Sequence, residues 1–223
     1  MKRCHLLCLV FGVAIGLCGC EAPQPKEPAN AGAFTSYEEL RPAEIFRKLS
    51  YNPGVDIRDC TRVRVSEIAV IRPVEQAWKE SSLRGGTNLA FMVGSLRERL
   101  HQELGRYYRV LPDDSFIDQR PEDTLVLKVL VTRLSVVKLP RDKAPPAGIT
   151  LVPPEAAIEI GCWRGRSRTP FLKIKDWRAG RQVVGEPGHQ RGRFGAVLTI
   201  YRFWGKRLAE LLQTARTNPS AIR

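Results

Sequence analysis

Thr124-Leu-Val-Leu-Lys-Val-Leu-Val-Thr-Arg-Leu-Ser-Val-Val-Lys-Leu139 is the stretch that decides the fold. Its apolar residues sit at odd positions as far as Val131 and then shift to Leu134 and Val136. A period of two marks a strand, and a change of phase within it marks a bulge or bend. Working outward, residues 140–154 carry five prolines and a glycine and read as a loop. Glu155–Trp163 and Thr169–Trp177 read as a hairpin around Arg164-Gly-Arg-Ser-Arg168. Ala179-Gly180 turns the chain into a short strand at Arg181–Val184. A final helix is expected from about Phe194 to Ala215, with Phe194, Val197, Leu198, Tyr201, Leu208, Leu211 and Leu212 at helical spacing.

Upstream, Arg62–Ile71 alternates as a strand. Leu89, Met92, Val93, Leu96, Leu100 and Leu104 form one helical face, capped at Thr87 or Asn88 and stopped by Gly105. Tyr107–Leu111 reads as a short strand. The order β-α-β-β-β-β-α predicts an α+β domain. The expectation is a two-layer sandwich, a mostly antiparallel sheet of about five strands with two helices on one face. That single domain covers residues 34–216, with a flexible tail at 217–223.

The amino terminus is of another kind. Lys2-Arg3 precedes an apolar run of 12 residues, Leu6–Leu17, too short to span a bilayer and of the length of a signal-peptide core. Leu17-Cys-Gly-Cys20 then resembles a lipobox. In it the Cys20 thiol takes up a diacylglyceryl group, and small Cys18 and Gly19 admit the backbone to the peptidase that cuts before Cys20. Residues 1–19 are thus expected to be removed. Acyl chains on Cys20 would hold the chain at a membrane. Residues 21–33 contain three prolines and almost no bulky apolar residue, the composition of an extended tether. Glu21 stands where many lipoproteins kept at the inner membrane have Asp. The expected location is therefore the cell envelope, facing the periplasm, at the outer rather than the inner membrane.

The formal net charge is +13, and residues 1–19 contribute only two of the basic residues. Such an excess draws a protein to anionic surfaces. Export removes nucleic acid from reach, leaving phospholipid or glycolipid, so the partners expected are a membrane and an envelope protein or anionic glycolipid. Arginines 164, 166 and 168 lie in the hairpin turn. His189, Arg191 and Arg193 lie just before the last helix, and the strand directions predict that both groups share one end of the sheet. Guanidinium forks and a helix N-terminus suit phosphate, making Arg164, Arg166, Arg168, His189, Arg191 and Arg193 the candidate anion site; a solvated basic surface is the plainer alternative.

Beyond the signal the histidines are His101 and His189. No Ser–His–Asp, paired-carboxylate or metal-ligand spacing stands out, so neither a catalytic residue nor a metal or cofactor is assigned. Cys60 and Cys162 are the thiols left after Cys20. In an oxidising compartment they are either a disulfide or two buried free cysteines. Trp163, Trp177, Tyr201, Phe203 and Trp204 are expected in the core.

Phe34-Thr-Ser-Tyr-Glu-Glu-Leu-Arg-Pro42, Leu49-Ser-Tyr-Asn-Pro53, Asp176-Trp-Arg-Ala-Gly180 and Trp204 in the final amphipathic helix carry a family likeness. The chain resembles an uncharacterised family of bacterial lipoproteins catalogued as domain of unknown function 3313. It departs at Arg164-Gly-Arg-Ser-Arg168, where the family pattern has an acidic turn. The resemblance implies a lipoprotein with an α+β domain and supplies no activity. The reading is a non-catalytic binding or assembly module of the envelope. An accessory lipoprotein of a transport or secretion complex and an envelope hydrolase stay open beside it.

Overall fold

A computed structural model describes residues 46–80, 89–112, 121–135, 154–180 and 190–222. The fold is α+β. Strands β1 (Lys48–Tyr51), β2 (Arg62–Val70), β3 (Arg109–Val110), β4 (Thr124–Leu134), β5 (Glu155–Arg164) and β6 (Leu172–Ala179) join in one sheet of order β1-β6-β5-β4-β2-β3. The helices are α1 (Arg72–Glu80), α2 (Leu89–Leu104) and α3 (Gln190–Thr217).

The sheet differs from expectation in count and direction. It is a mixed sheet of six strands: β4, β5, β6 and β1 pair antiparallel in turn, while β2 runs parallel to both β3 and β4. The reason lies in the order of neighbours. Consecutive strands β3 and β4 do not pair with each other but flank β2 on its two sides. A strand joined to its neighbour through a helical crossover runs parallel to it. β1 and α1 were not expected. β1 is four residues long on the sheet edge. α1 turns only Val74 and Trp78, one helical step apart, toward the core, too weak a pattern to read in a helix that begins with Arg72-Pro73.

The phase shift in the 124–139 stretch is a bulge. The β4–β5 register slips between Val131 and Arg133. A second slip, between Val65 and Glu67, lies in β2, where the extra residue Ser66 donates its hydroxyl to the Leu127 carbonyl at 3.1 Å. Between these slips the register is strict, and Val65, Leu127, Cys162 and Leu172 form one row, every member buried. That face of the sheet meets Met92, Leu96, Leu100 and Leu104 of α2 and Val197, Tyr201, Trp204, Leu208 and Leu212 of α3 in one apolar core. Beyond Thr217 the chain makes a short 3-10 turn at Pro219–Ala221, and Ile222 packs on the core, where a flexible tail was expected.

The two long helices cross closely at Gly205. A Cβ there would lie 3.1 Å from the Arg99 carbonyl oxygen and 3.2 Å from Glu103 Cγ. A β-branched side chain has no room at that distance. Gly205→Val should destabilise the protein by about 1–3 kcal/mol through overpacking, read as a lowered urea midpoint with an unchanged slope.

Candidate functional site

The β5–β6 connection places the arginine turn at the end of the sheet where β5 finishes and β6 begins. Gly165 adopts φ 53°, a conformation an L side chain rarely takes, and its N–H donates to the Thr124 carbonyl at 2.8 Å. Arg164 is half-buried and structural in its contacts. Its Nε donates to the Glu122 carbonyl at 3.0 Å and its Nη1 to the Asp56 carbonyl, so it stitches the turn to two preceding segments. Arg166 and Arg168 are exposed, as are Tyr107 and Arg109 on and beside β3.

The second half of the expected cluster lies elsewhere. A Cβ on Gly180, just past β6, would sit 2.6 Å from the Ala196 Cβ, and the Gly180 N–H donates to the Pro154 carbonyl at 2.7 Å. The first turns of α3 therefore stand where β5 starts and β6 ends. The far end of α3 returns to the arginine turn: Arg216 donates to the Cys60 carbonyl at 3.3 Å and stacks over the Tyr108 ring. A helix of 28 residues is about 42 Å long. Arg191 and Arg193, in the first turn of α3, are thus held at the opposite end of the sheet from Arg164, Arg166 and Arg168. Strand direction placed both groups at one end of the sheet, whereas α3 begins at the other. That expectation presumed that residues 181–184 carry the chain back. Those residues and His189 lie outside the described ones, as do Cys20, the tether and the opening motif at 34–42.

Cys60 and Cys162 are free thiols, both buried. Burial pushes the Cys60 thiol up to about 11. Cys162 is raised well above its ordinary value by burial first and by the neighbouring Cys60 second. Beside them Tyr108 is raised by burial, partly offset by the Arg216 guanidinium. Thiols held neutral in this way are poor nucleophiles.

Near the arginine turn, exposed Asp56 accepts from the Arg58 side chain at 2.6 Å and from its N–H at 2.9 Å. These bonds hold its carboxyl at about 2. Arg62 pairs with Asp123, Arg133 with Glu155 at 2.7 Å, and Arg106 with Glu103 at 2.9 Å. Among the described residues no three His, Cys, Asp or Glu side chains are placed to hold a metal, and no helix is long and apolar enough to cross a membrane.

Asp176 falls within the expected strand Thr169–Trp177 and within the stretch of family likeness at 176–180, and the sequence assigns it no role. The structure places it inside β6, 0% exposed, with Gly180 just past the strand. Its carboxylate accepts from Trp204 Nε1 at 2.6 Å, Arg178 Nε at 2.7 Å and the Arg47 N–H at 3.0 Å. The one available signal was an aspartate at a core-phase position of a strand. Tyr201 and Trp204 lie in the core as expected, but Trp163 and Trp177 are half-buried on the other face of the sheet.

No family model matches the chain, and no curated protein matches it. Among solved structures, several are similar to it at low identity. PelC from Paraburkholderia phytofirmans, a dodecamer, is 14% identical, with 72% of this chain and 94% of that one covered at a TM-score of 0.42. A neuraminyllactose-binding hemagglutinin homolog from Helicobacter pylori is 13% identical over 75% and 88%, at 0.35. CT253 from Chlamydia trachomatis is 10% identical over 68% and 95%, at 0.40. Likenesses of this size leave function to be argued from the residues.

Four outcomes test this geometry. Asp176→Ala should cost about 2–4 kcal/mol, because it strands a buried indole N–H and leaves the half-buried Arg178 guanidinium without its carboxylate; chemical denaturation measures it. Iodoacetamide at pH 8 should label Cys60 and Cys162 slowly in the native protein and fully in urea without reductant. Because burial disfavours both thiolates, stability should fall as pH rises from about 9 toward 11. Asp56 acts in the reverse sense. Its contribution is present above pH 3.8 and is lost as pH falls through about 2, and Arg58→Ala should move its titration, followed by NMR, back toward 3.8.

Proposed function

We propose that the chain is a lipid-anchored protein of the bacterial cell envelope, acting as a non-catalytic binding or assembly module. The observation that carries this is the run from Lys2-Arg3 through Leu6–Leu17 to Leu17-Cys-Gly-Cys20, followed by the proline-rich residues 21–33. A basic start, a short apolar core and a cysteine after two small residues meet the requirements of acylation and cleavage in the right order. The likeness to the lipoprotein family of unknown function fits the same reading.

In this reading the domain is a two-layer sandwich whose helices cover one face of the sheet. The acyl chains hold it on the periplasmic side of the outer membrane, and the tether lifts it off the headgroups. The basic excess favours an anionic partner, an envelope protein or glycolipid. Of the arginines in the β5–β6 turn, Arg166 and Arg168 are the exposed ones and so are those available to it.

Expressed in a Gram-negative host, the protein should incorporate radiolabelled palmitate and fractionate with outer membrane. Cys20→Ser should abolish labelling and leave residues 1–19 uncut. An unacylated wild-type residue 20, found by mass spectrometry, would remove the anchor from the reading.

A further inference from the structure

The helical layer turns its outer surface away from the sheet, and cations gather there. α3 passes α2 at Gly205, which faces the Arg99 carbonyl and Glu103. Arg202 and Lys206 stand on either side of that glycine, and both are exposed. With Tyr201, Trp204 and Leu208 in the core, the two cations point outward along the seam with α2. On α2, Arg99, Gln102 and Arg106 follow at helical spacing, and Arg99 Nη1 donates to Gln102 Oε1 at 2.6 Å. Gln102 and Arg106 are exposed and Arg99 is half-buried. Phe91 lies on the same line of α2 as Gln102, about 16 Å along the helix. It is 53% exposed, the most open large apolar side chain among the described residues.

The carboxylates on this surface do not neutralise it. Arg106 pairs with Glu103, whose side chain is 4% exposed, so that carboxylate lies beneath its partner. Lys206 and Arg207 share Glu210, at 3.8 and 3.0 Å. Glu98 is the other outward carboxylate of α2. Arg99 and Arg202 have no carboxylate partner among the described residues. Exposed pairs of this kind are weak, and even when paired Arg106 and Lys206 keep 52% and 56% of their side chains exposed. All four cations are therefore open to a larger anion.

An aromatic ring and a group of cations on one exposed face fit the boundary of an anionic bilayer. There the ring enters the headgroup region and the cations meet lipid phosphates. Phosphate charge alone would leave Phe91 in water, whereas a bilayer takes up both. We propose that the outer surface of α2 and α3, with Phe91, Arg99, Arg106, Arg202 and Lys206, docks on the anionic phospholipid headgroups of the membrane. This rests on the lipid-anchored reading. Residues 21–45 separate Cys20 from the described domain, a length that spans up to about 85 Å when extended. The anchor thus permits the domain to stand clear of the headgroups or to settle on them, and surface chemistry selects the face that settles.

The test uses the full acylated chain on phosphatidylcholine vesicles with and without phosphatidylglycerol. An environment-sensitive dye is attached at Thr199→Cys, on the outer surface of α3, or at Thr169→Cys, in the arginine turn. Both positions are exposed, and the native Cys60 and Cys162 are buried. Retention on pure phosphatidylcholine at about 1 M salt, where screening leaves a range of about 3 Å, reads the anchor alone. The dye reads the face, so failure of the anchor and failure of the face are separate results. With phosphatidylglycerol at low salt, brominated lipid should quench the dye at 199 at least about threefold more than at 169, and the difference should shrink as salt rises. Arg202→Gln with Lys206→Gln should remove most of that difference and Phe91→Ala should reduce it. Arg166→Gln with Arg168→Gln, an equal loss of charge in the arginine turn, should leave it unchanged. Equal quenching at the two positions, an unchanged signal in the Arg202/Lys206 variant, or a like loss in the Arg166/Arg168 variant would each overturn the proposal. A dye response to soluble polyglutamate as large as that to phosphatidylglycerol would assign the face to an acidic polypeptide and overturn it too. Should residue 20 prove unacylated, cosedimentation with phosphatidylglycerol vesicles, lost in the Arg202/Lys206 variant and kept in the Arg166/Arg168 variant, tests the face by itself. Every substituted side chain is exposed, and thermal denaturation checks that each variant folds.

Discussion

The carboxylate of Asp176 is the constraint around which the two layers are joined. A fully desolvated aspartate costs several kcal/mol unless its oxygens are satisfied. Here three donors converge on it from three elements: Trp204 of α3, Arg178 of its own strand, and the Arg47 N–H just ahead of β1. The bond from Trp204 sets the rotation of a long helix over the sheet, because only one turn of α3 can bring an indole N–H to that oxygen. The Arg178 guanidinium lies 3.8 Å from the Phe203 ring centroid, so its other side is occupied by the same helix. Apolar contact alone would let α3 slide or rotate; a buried directional bond does not.

With α3 placed, the rest of the helical layer follows. Gly205 lies one residue past Trp204, and its lack of a side chain lets α2 come close enough for their two apolar stripes to share one core. The far end of α3 then reaches Cys60 and Tyr108. This closes the sheet end that carries the buried thiols. The charges there are mostly committed to structure: Arg164 to two carbonyls, Arg62 to Asp123, Arg58 to Asp56. A cluster of arginines in a sequence is therefore a poor guide to an anion site, since main-chain carbonyls compete for guanidinium donors as effectively as phosphate does when the turn is buried on one side.

The two faces of the sheet obey different rules. The face under α2 and α3 is apolar apart from Asp176 and its partner Arg178, with Arg164 at the strand end. The other carries lysines, Glu159 and both half-buried tryptophans of the sheet strands. Register keeps them apart, because any slip of one residue would put Lys128 or Lys173 into the apolar core. The two bulges, at Ser66 and between Val131 and Arg133, absorb the extra residues without disturbing that separation.

Sequence alone determined the periodic elements. The strand at 124–134 with its phase change, the hairpin strands on either side of Arg164–Arg168, and the apolar faces of α2 and α3 were all legible, because side-chain period and turn chemistry are local. It also determined the signal-like character of residues 1–20, a matter of composition and spacing. Tertiary structure decided which strands became neighbours, and so the mixed direction of the sheet, since β3 and β4 flank β2 by long-range pairing that no local pattern encodes. It separated Arg191 and Arg193 from the arginine turn, because a helix of fixed rise must carry its two ends far apart. It alone showed that Asp176 is a buried joint and that the Trp163 indole packs against the backbone of Gly161, for both depend on what faces a side chain in the folded chain.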